Sequence, residues 1–175
     1  LAHIGMPPIL VLIIAGPEIF RQVFGPEWRE AGVFAQWLAP WLYLVFITSP
    51  LASLFEVLDK QATGMVYQGV LLVVRVAAIA AGAWNGDVMM AVAFFALGSA
   101  VCWLANLVWI IRVSGNKWSE IWRPASSAFM WAVVLTSPLI VTVMWNIDET
   151  FWIFAAASTL ALIAARYVYL MKNAW

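Results

Sequence analysis

The stretch YQGVLLVVRVAAIAAGA, residues 67–83, carries one guanidinium in the middle of an apolar run. A charge at that depth of a membrane costs several kcal/mol unless it is paired or wetted. At steps of four or seven residues, Gly64, Gln68, Arg75 and Gly82 fall on one stripe of a helix, so one face is polar. In that setting Arg75 forms a cationic wall of a water-filled cavity and holds an anionic group such as a phosphate. The other reading is a structural arginine that snorkels or pairs with a carboxylate on a neighbouring helix. The nearest water along the axis is more than about 10 Å away in either direction, too far for easy snorkelling.

Other candidates are weaker. Gln36, Ser53, Asn106 and Ser158 sit within apolar runs, where each lines the same cavity or bonds a neighbouring helix. Trp37 and Trp41, four apart, share a face that can stack on sugar rings or pack a bundle. The candidate substrate-binding set is therefore Arg75, Gln68, Gln36, Asn106 and Trp41. Glu18 and Glu56 lie near the ends of their runs, where a solvated state is expected. There is no Ser/His/Asp set, glycine-rich phosphate loop or working pair of carboxylates, so no catalytic residues and no enzyme are expected. One His and one Cys offer no recognisable ligand spacing; neither a metal nor a cofactor is expected. Cys102, inside an apolar run, reads as a small packing residue.

The elements that carry these residues follow from composition. The chain is 65% hydrophobic and 10% charged, whereas a soluble domain carries about 25% charged residues. It reads as an integral membrane protein. Nine basic and nine acidic residues cancel, and nothing in that balance points to nucleic acid. The chain enters an apolar run at Leu1 with no basic region before it, so it is not read as starting with a signal peptide, and it is expected to be the C-terminal part of a longer protein.

A span needs about 20 apolar residues. Six segments qualify: 4–24, 31–57, 63–84, 88–112, 125–146 and 150–171. Spanning strands would alternate, and runs such as VLIIAG do not, so the fold class is all-α, a polytopic transmembrane helix bundle. Short connections predict that consecutive helices are antiparallel neighbours. Lys60, Arg112, Lys117, Arg123 and Lys172, with Arg166 nearby, fall on one side and Arg29, with Arg21 nearby, on the other. The positive-inside rule then puts the C-terminus in the cytoplasm. Trp28, Trp84, Trp145 and Trp152 mark an outer belt, and Trp109, Trp118, Trp122 and Trp175 an inner one. The connection VSGNKWSEIWRPASS is either a short interfacial helix, before Pro124 starts the fifth segment, or a solvated loop. Pro7, Pro8, Pro17, Pro40, Pro50 and Pro138 should kink or end their helices. Small residues at 157, 161 and 165 permit close contact along the sixth segment.

The order PEIFRQVFGPEWREAG, then LAPWLYLVFITSPLASLFEVLDKQ, then YQGVLLVVRVAAIAAGA resembles the C-terminal half of the polysaccharide exporters and O-antigen flippases of the multidrug/oligosaccharidyl-lipid/polysaccharide exporter superfamily. There an apolar helix ends in an FG.EW..AG turn, the next runs through SPL to a cytoplasmic turn, and a helix with an embedded Arg follows. Here LDKQ stands where that turn often has a Gly. The resemblance covers roughly residues 5–115. It implies two six-helix lobes, sometimes with two further helices, that move a lipid-linked oligosaccharide from the inner to the outer leaflet by alternating access. Residues 1–112 would be four helices of the second lobe, 113–124 a cytoplasmic interfacial connection and 125–175 two additional helices. The implied location is a bacterial inner membrane, and the implied partners are membrane lipid, the lipid-linked glycan and the remainder of the same polypeptide. Arg75 is then the residue expected to meet the pyrophosphate. Alternatives are a cation-coupled drug exporter of that superfamily, which needs a carboxylate deep in a span, and a membrane-embedded glycan polymerase or ligase, which usually has a large outer loop.

Overall fold

The computed structural model describes residues 1–53, 55, 59–84, 86–115, 118–145 and 149–172. Six long helices make up nearly all of them: α1 (Ala2–Phe24), α2 (Arg29–Thr48), α3 (Gln61–Trp84), α4 (Val88–Val113), α5 (Trp118–Met144) and α6 (Glu149–Lys172). Each holds a stretch long and apolar enough to cross a bilayer, so the protein is an all-α, multi-pass membrane bundle. Its apolar side chains face outward as much as inward, as they must where the solvent is hydrocarbon. On α3 only Leu71 and Gly82 are buried.

The turn between α1 and α2 is set by Gly25, whose φ of 114° suits a residue without Cβ. A 3-10 turn, Pro26–Trp28, then leads directly into α2. The two helices cross where Gly16 meets Gly32. A Cβ on Gly32 would stand 2.5 Å from the Gly16 carbonyl oxygen and 2.5 Å from the Pro17 Cα, so this crossing tolerates no side chain.

Prolines inside the helices do not end them, with one exception. Pro7, Pro8 and Pro17 lie within an unbroken α1, Pro40 within α2 and Pro138 within α5. A proline leaves the carbonyl four residues earlier without its N–H donor. In three cases a side chain supplies one. The Gln36 amide donates to Ile13 (2.6 Å), opposite Pro17. The Tyr167 hydroxyl donates to Ile4, opposite Pro8. The Ser137 hydroxyl donates to Val134 (2.8 Å), opposite Pro138. Such substitutes are what a low-dielectric solvent demands, because lipid offers the orphaned carbonyl nothing. Pro50 is the exception: α2 stops at Thr48 and a 3-10 segment, Ser49–Ser53, carries the chain on.

The helices pack in the order α3, α4, α2, α1, α5, α6. This corrects the expectation that consecutive helices are all neighbours, because α4 leans on α2 and α3, and α5 leans on α1. A short connection ties helix ends and not helix lengths. The expected interfacial helix or loop before Pro124 is corrected as well: α5 runs continuously from Trp118, with Pro124 inside it. The small residues at 157, 161 and 165 are exposed, and α6 packs through Ala155, Thr159 and Ile163 instead. The core beneath α6 joins Ala15, Leu139 and Ala155.

Tryptophan positions divide. Trp28, Trp84, Trp122 and Trp145 are exposed near helix ends. Trp109 is instead stacked on Phe55, with centroids 4.9 Å apart and planes at 8°, and Trp152 packs against the α1–α5–α6 core. The side chain of Trp118, together with Trp175 and Glu56, lies outside the described residues.

Candidate functional site

Arg75 sits halfway along α3, half-buried, on the face toward α4. Its Nε donates to the Ser99 hydroxyl of α4 at 3.2 Å. Its guanidinium carbon lies 5.3 Å from the Trp41 ring of α2 and 5.4 Å from the Phe95 ring of α4. Those two rings meet edge to face at 5.2 Å. Spacing explains the assembly: Phe95 and Ser99 are one turn apart on α4, and Trp41 reaches them because α2 packs on α4.

Magnitudes decide whether Arg75 needs a carboxylate. A charged side chain at mid-span costs about 2.5–3.5 kcal/mol on insertion scales. Two cation–π contacts contribute roughly 0.5–2 kcal/mol each and a hydrogen bond to a charged group about 1.5–3. Aromatic and hydroxyl contacts thus offset the cost, and among the described residues no carboxylate pairs with Arg75. Among the described residues the ion pairs instead gather near the end of α1, where Glu18 accepts from Arg21 at 2.8 Å and from Arg29 at 3.3 Å. Glu18 is therefore bridged and only partly exposed rather than simply solvated.

Two turns along α3 from Arg75, a cavity of about 470 Å³ opens between α3 and α4. Gln68, Tyr67, Trp103 and Asn106 are among its lining residues. Asn106 is buried, and the Tyr67 and Trp103 rings meet at 6.0 Å, nearly perpendicular. The Tyr67 hydroxyl and the indole nitrogens of Trp103 and Trp41 are buried without a hydrogen-bond partner. Arg75, these three groups and the amides of Gln68 and Asn106 form one polar seam along the α2–α3–α4 contact. The seam is rich in donors, and the Arg75 fork has five N–H groups of which Ser99 takes one. Such a surface suits an anion or a hydroxyl-rich ligand.

Of the residues singled out from sequence, the structure brings Arg75 and Trp41 into contact and puts Gln68 and Asn106 on one cavity wall. It sets Gln36 apart, at the α1–α2 crossing, with its amide on the Ile13 carbonyl. Ser158 also lies elsewhere, bonded to the Ala155 carbonyl at 2.9 Å. The side chain of Ser53 is outside the described residues. Sequence reading missed Phe95, Ser99, Tyr67 and Trp103. A signal was present: Phe95, Ser99 and Trp103 recur every four residues on α4, as Tyr67, Leu71 and Arg75 do on α3.

Among the described residues no cluster of His, Cys, Asp and Glu could hold a metal ion. No protein-family model, no curated protein and no solved structure matches this chain.

Proposed function

We propose that this chain is part of a membrane transporter that exports or flips a lipid-linked oligosaccharide, with the seam of α2, α3 and α4 meeting the polar part of that cargo. The observation that carries this reading is a mid-span guanidinium held by rings and a hydroxyl, with donor groups to spare and no carboxylate among the described residues paired with it. A phosphate linking glycan to lipid is the anion that suits such a fork. The rings and unpartnered donors at Trp41, Tyr67 and Trp103 suit sugar faces and hydroxyls. The resemblance of FGPEWREAG, the SPL stretch and the embedded Arg75 to the polysaccharide exporters supports the same cargo. That resemblance also implies a bacterial inner membrane, and the count of basic residues by side supports a C-terminus in the cytoplasm.

A cation-coupled exporter fits less well, because it needs a carboxylate deep in a span and Glu18, near the end of α1, is occupied by Arg21 and Arg29.

The test is Arg75→Ala in the full-length protein. Losing a charge-assisted contact of about 1.5–3 kcal/mol should lower glycan export about 10- to 100-fold while the protein stays folded in the membrane. Arg75→Lys, which keeps the charge and loses the fork, should fall between. Normal surface glycan in a folded Arg75→Ala protein refutes the role.

A further inference from the structure

Most buried hydroxyls in this bundle turn back on their own helices. Thr48 donates to the Leu44 carbonyl, Thr136 to the Ala132 carbonyl and Thr142 to the Leu139 carbonyl. Ser99, with no exposed surface, instead accepts a bond from another helix, the one from Arg75 Nε. Its neighbour Gly98 permits that approach. A Cβ at Gly98 would stand 3.1 Å from Val74 Cγ1, so a side chain there would press α4 off α3 one residue away from the bond.

The bond decides which part of the guanidinium is left for a ligand. An arginine can meet an oxyanion end-on, through its two terminal nitrogens, or side-on, through Nε and one of them. Ser99 takes Nε, which removes the side-on edge. The rings of Trp41 and Phe95 lie 5.3 and 5.4 Å from the guanidinium carbon and 5.2 Å from each other. That triangle is nearly equilateral, so both rings stand on the same side of the cation and leave its other side clear. The two terminal nitrogens have no hydrogen-bond partner among the described residues, and they are not sealed in the protein as Arg166 Nε is. What remains open is the end-on fork.

We infer that Ser99 is a positioning residue: by holding Arg75 Nε it fixes the plane of the guanidinium and leaves the terminal fork to meet two oxygens of one phosphate. Ser99 does not touch the cargo itself. The inference rests on the proposed role of Arg75 and adds the reason that its fork is ready before the cargo arrives. An arginine already held by a buried hydroxyl gives up less rotamer freedom when the phosphate binds, which is how preorganisation improves affinity. The same arrangement selects a phosphate over a neutral sugar at this point, because a single hydroxyl cannot satisfy both arms of the fork.

The test uses the full-length protein in proteoliposomes and, as probe, a fluorescent disaccharide joined through pyrophosphate to a dodecyl chain. Ala at a buried Ser keeps the helix and its packing, so Ser99→Ala should stay folded. It should raise the probe concentration for half-maximal transport about tenfold, the effect of one lost hydrogen bond to a charged group, and leave the maximal rate per folded molecule unchanged. A packing defect does the reverse: it removes active molecules, lowers the maximal rate and leaves half-saturation where it was. In an Arg75→Ala background, adding Ser99→Ala should change neither quantity, because no Nε is left to hold. Half-saturation unchanged in Ser99→Ala but raised in Arg75→Ala would overturn the positioning role and leave the proposed function standing. A loss confined to the maximal rate, or a tenfold rise that persists in the Arg75→Ala background, would overturn it as well. A wild type that does not move the probe, or an Arg75→Ala protein that moves it normally, would refute the proposed function and this inference together.

Discussion

Gln36 reaches from α2 to donate its amide N–H to the Ile13 carbonyl of α1, the carbonyl that Pro17 deprives of its helical partner. A helix defect on one strand of the chain is thereby repaired by a side chain on another. Replacing Gln36 with Leu should destabilise the fold by about 0.6 kcal/mol, and by no more than about 1.7, the range found for hydrogen bonds between spanning helices. Pro17→Ala restores an N–H for Ile13, so in that background Gln36→Leu should cost close to nothing. Denaturant unfolding of the four proteins in mixed micelles measures the coupling; simple additivity would show that Gln36 serves some other purpose.

The Gly16–Gly32 crossing makes a sharper demand. A methyl on Gly32 meets backbone atoms at 2.5 Å on the opposing helix, which cannot rotate away as a side chain would. Gly32→Ala should therefore cost about 1–3 kcal/mol, as overpacking does. Gly69, on the open face of α3, has nothing within 4 Å of an added Cβ. There Ala should be neutral or stabilising by up to about 1 kcal/mol through helix propensity. Side-by-side unfolding of the two variants in one detergent checks both signs.

The number and rough bounds of the spans were legible because hydrocarbon thickness sets length and composition follows it. Pairings between helices were not, because every face of a lipid-immersed helix is apolar and no hydrophobic stripe points to its neighbour. Hence α4 rather than α3 packs along α2, and Ser99 went unnoticed as the partner of Arg75. Prolines misled for a related reason. Read one helix at a time, Pro17 looks like a break, and only the register of α2 against α1 shows that Gln36 mends it. The polarity of Arg75, by contrast, was visible from its depth alone.

Glu18 is the centre of the charged turn, and its two ion pairs invite overestimation. Its side chain keeps 31% of its surface open and that of Arg29 keeps 59%, so solvent screens both bonds. Glu18→Gln should cost under about 1 kcal/mol in low salt. At about 1 M salt, where the screening length is about 3 Å, the difference from wild type should nearly vanish. Thermal unfolding at the two salt concentrations decides; a large, salt-insensitive loss would mean that Glu18 is effectively buried.

The seam between α3 and α4 separates a binding role from a packing role. Asn106→Leu keeps size and adds apolar surface to a buried position, so packing alone predicts a protein as stable as wild type or more so, with export unimpaired. If the cavity of Gln68, Tyr67, Trp103 and Asn106 admits a polar cargo, the same variant should export severalfold less glycan per folded molecule. Trp103→Phe sharpens the comparison, because it retains a ring against Tyr67 and removes the unpartnered N–H. Freed of a buried donor, it should be no less stable except for the smaller ring, yet it should lose export if that N–H bonds the cargo. Surface glycan normalised to folded protein, read beside the unfolding midpoint, gives both quantities. Export that merely follows the amount of folded protein would reduce the seam to a helix contact.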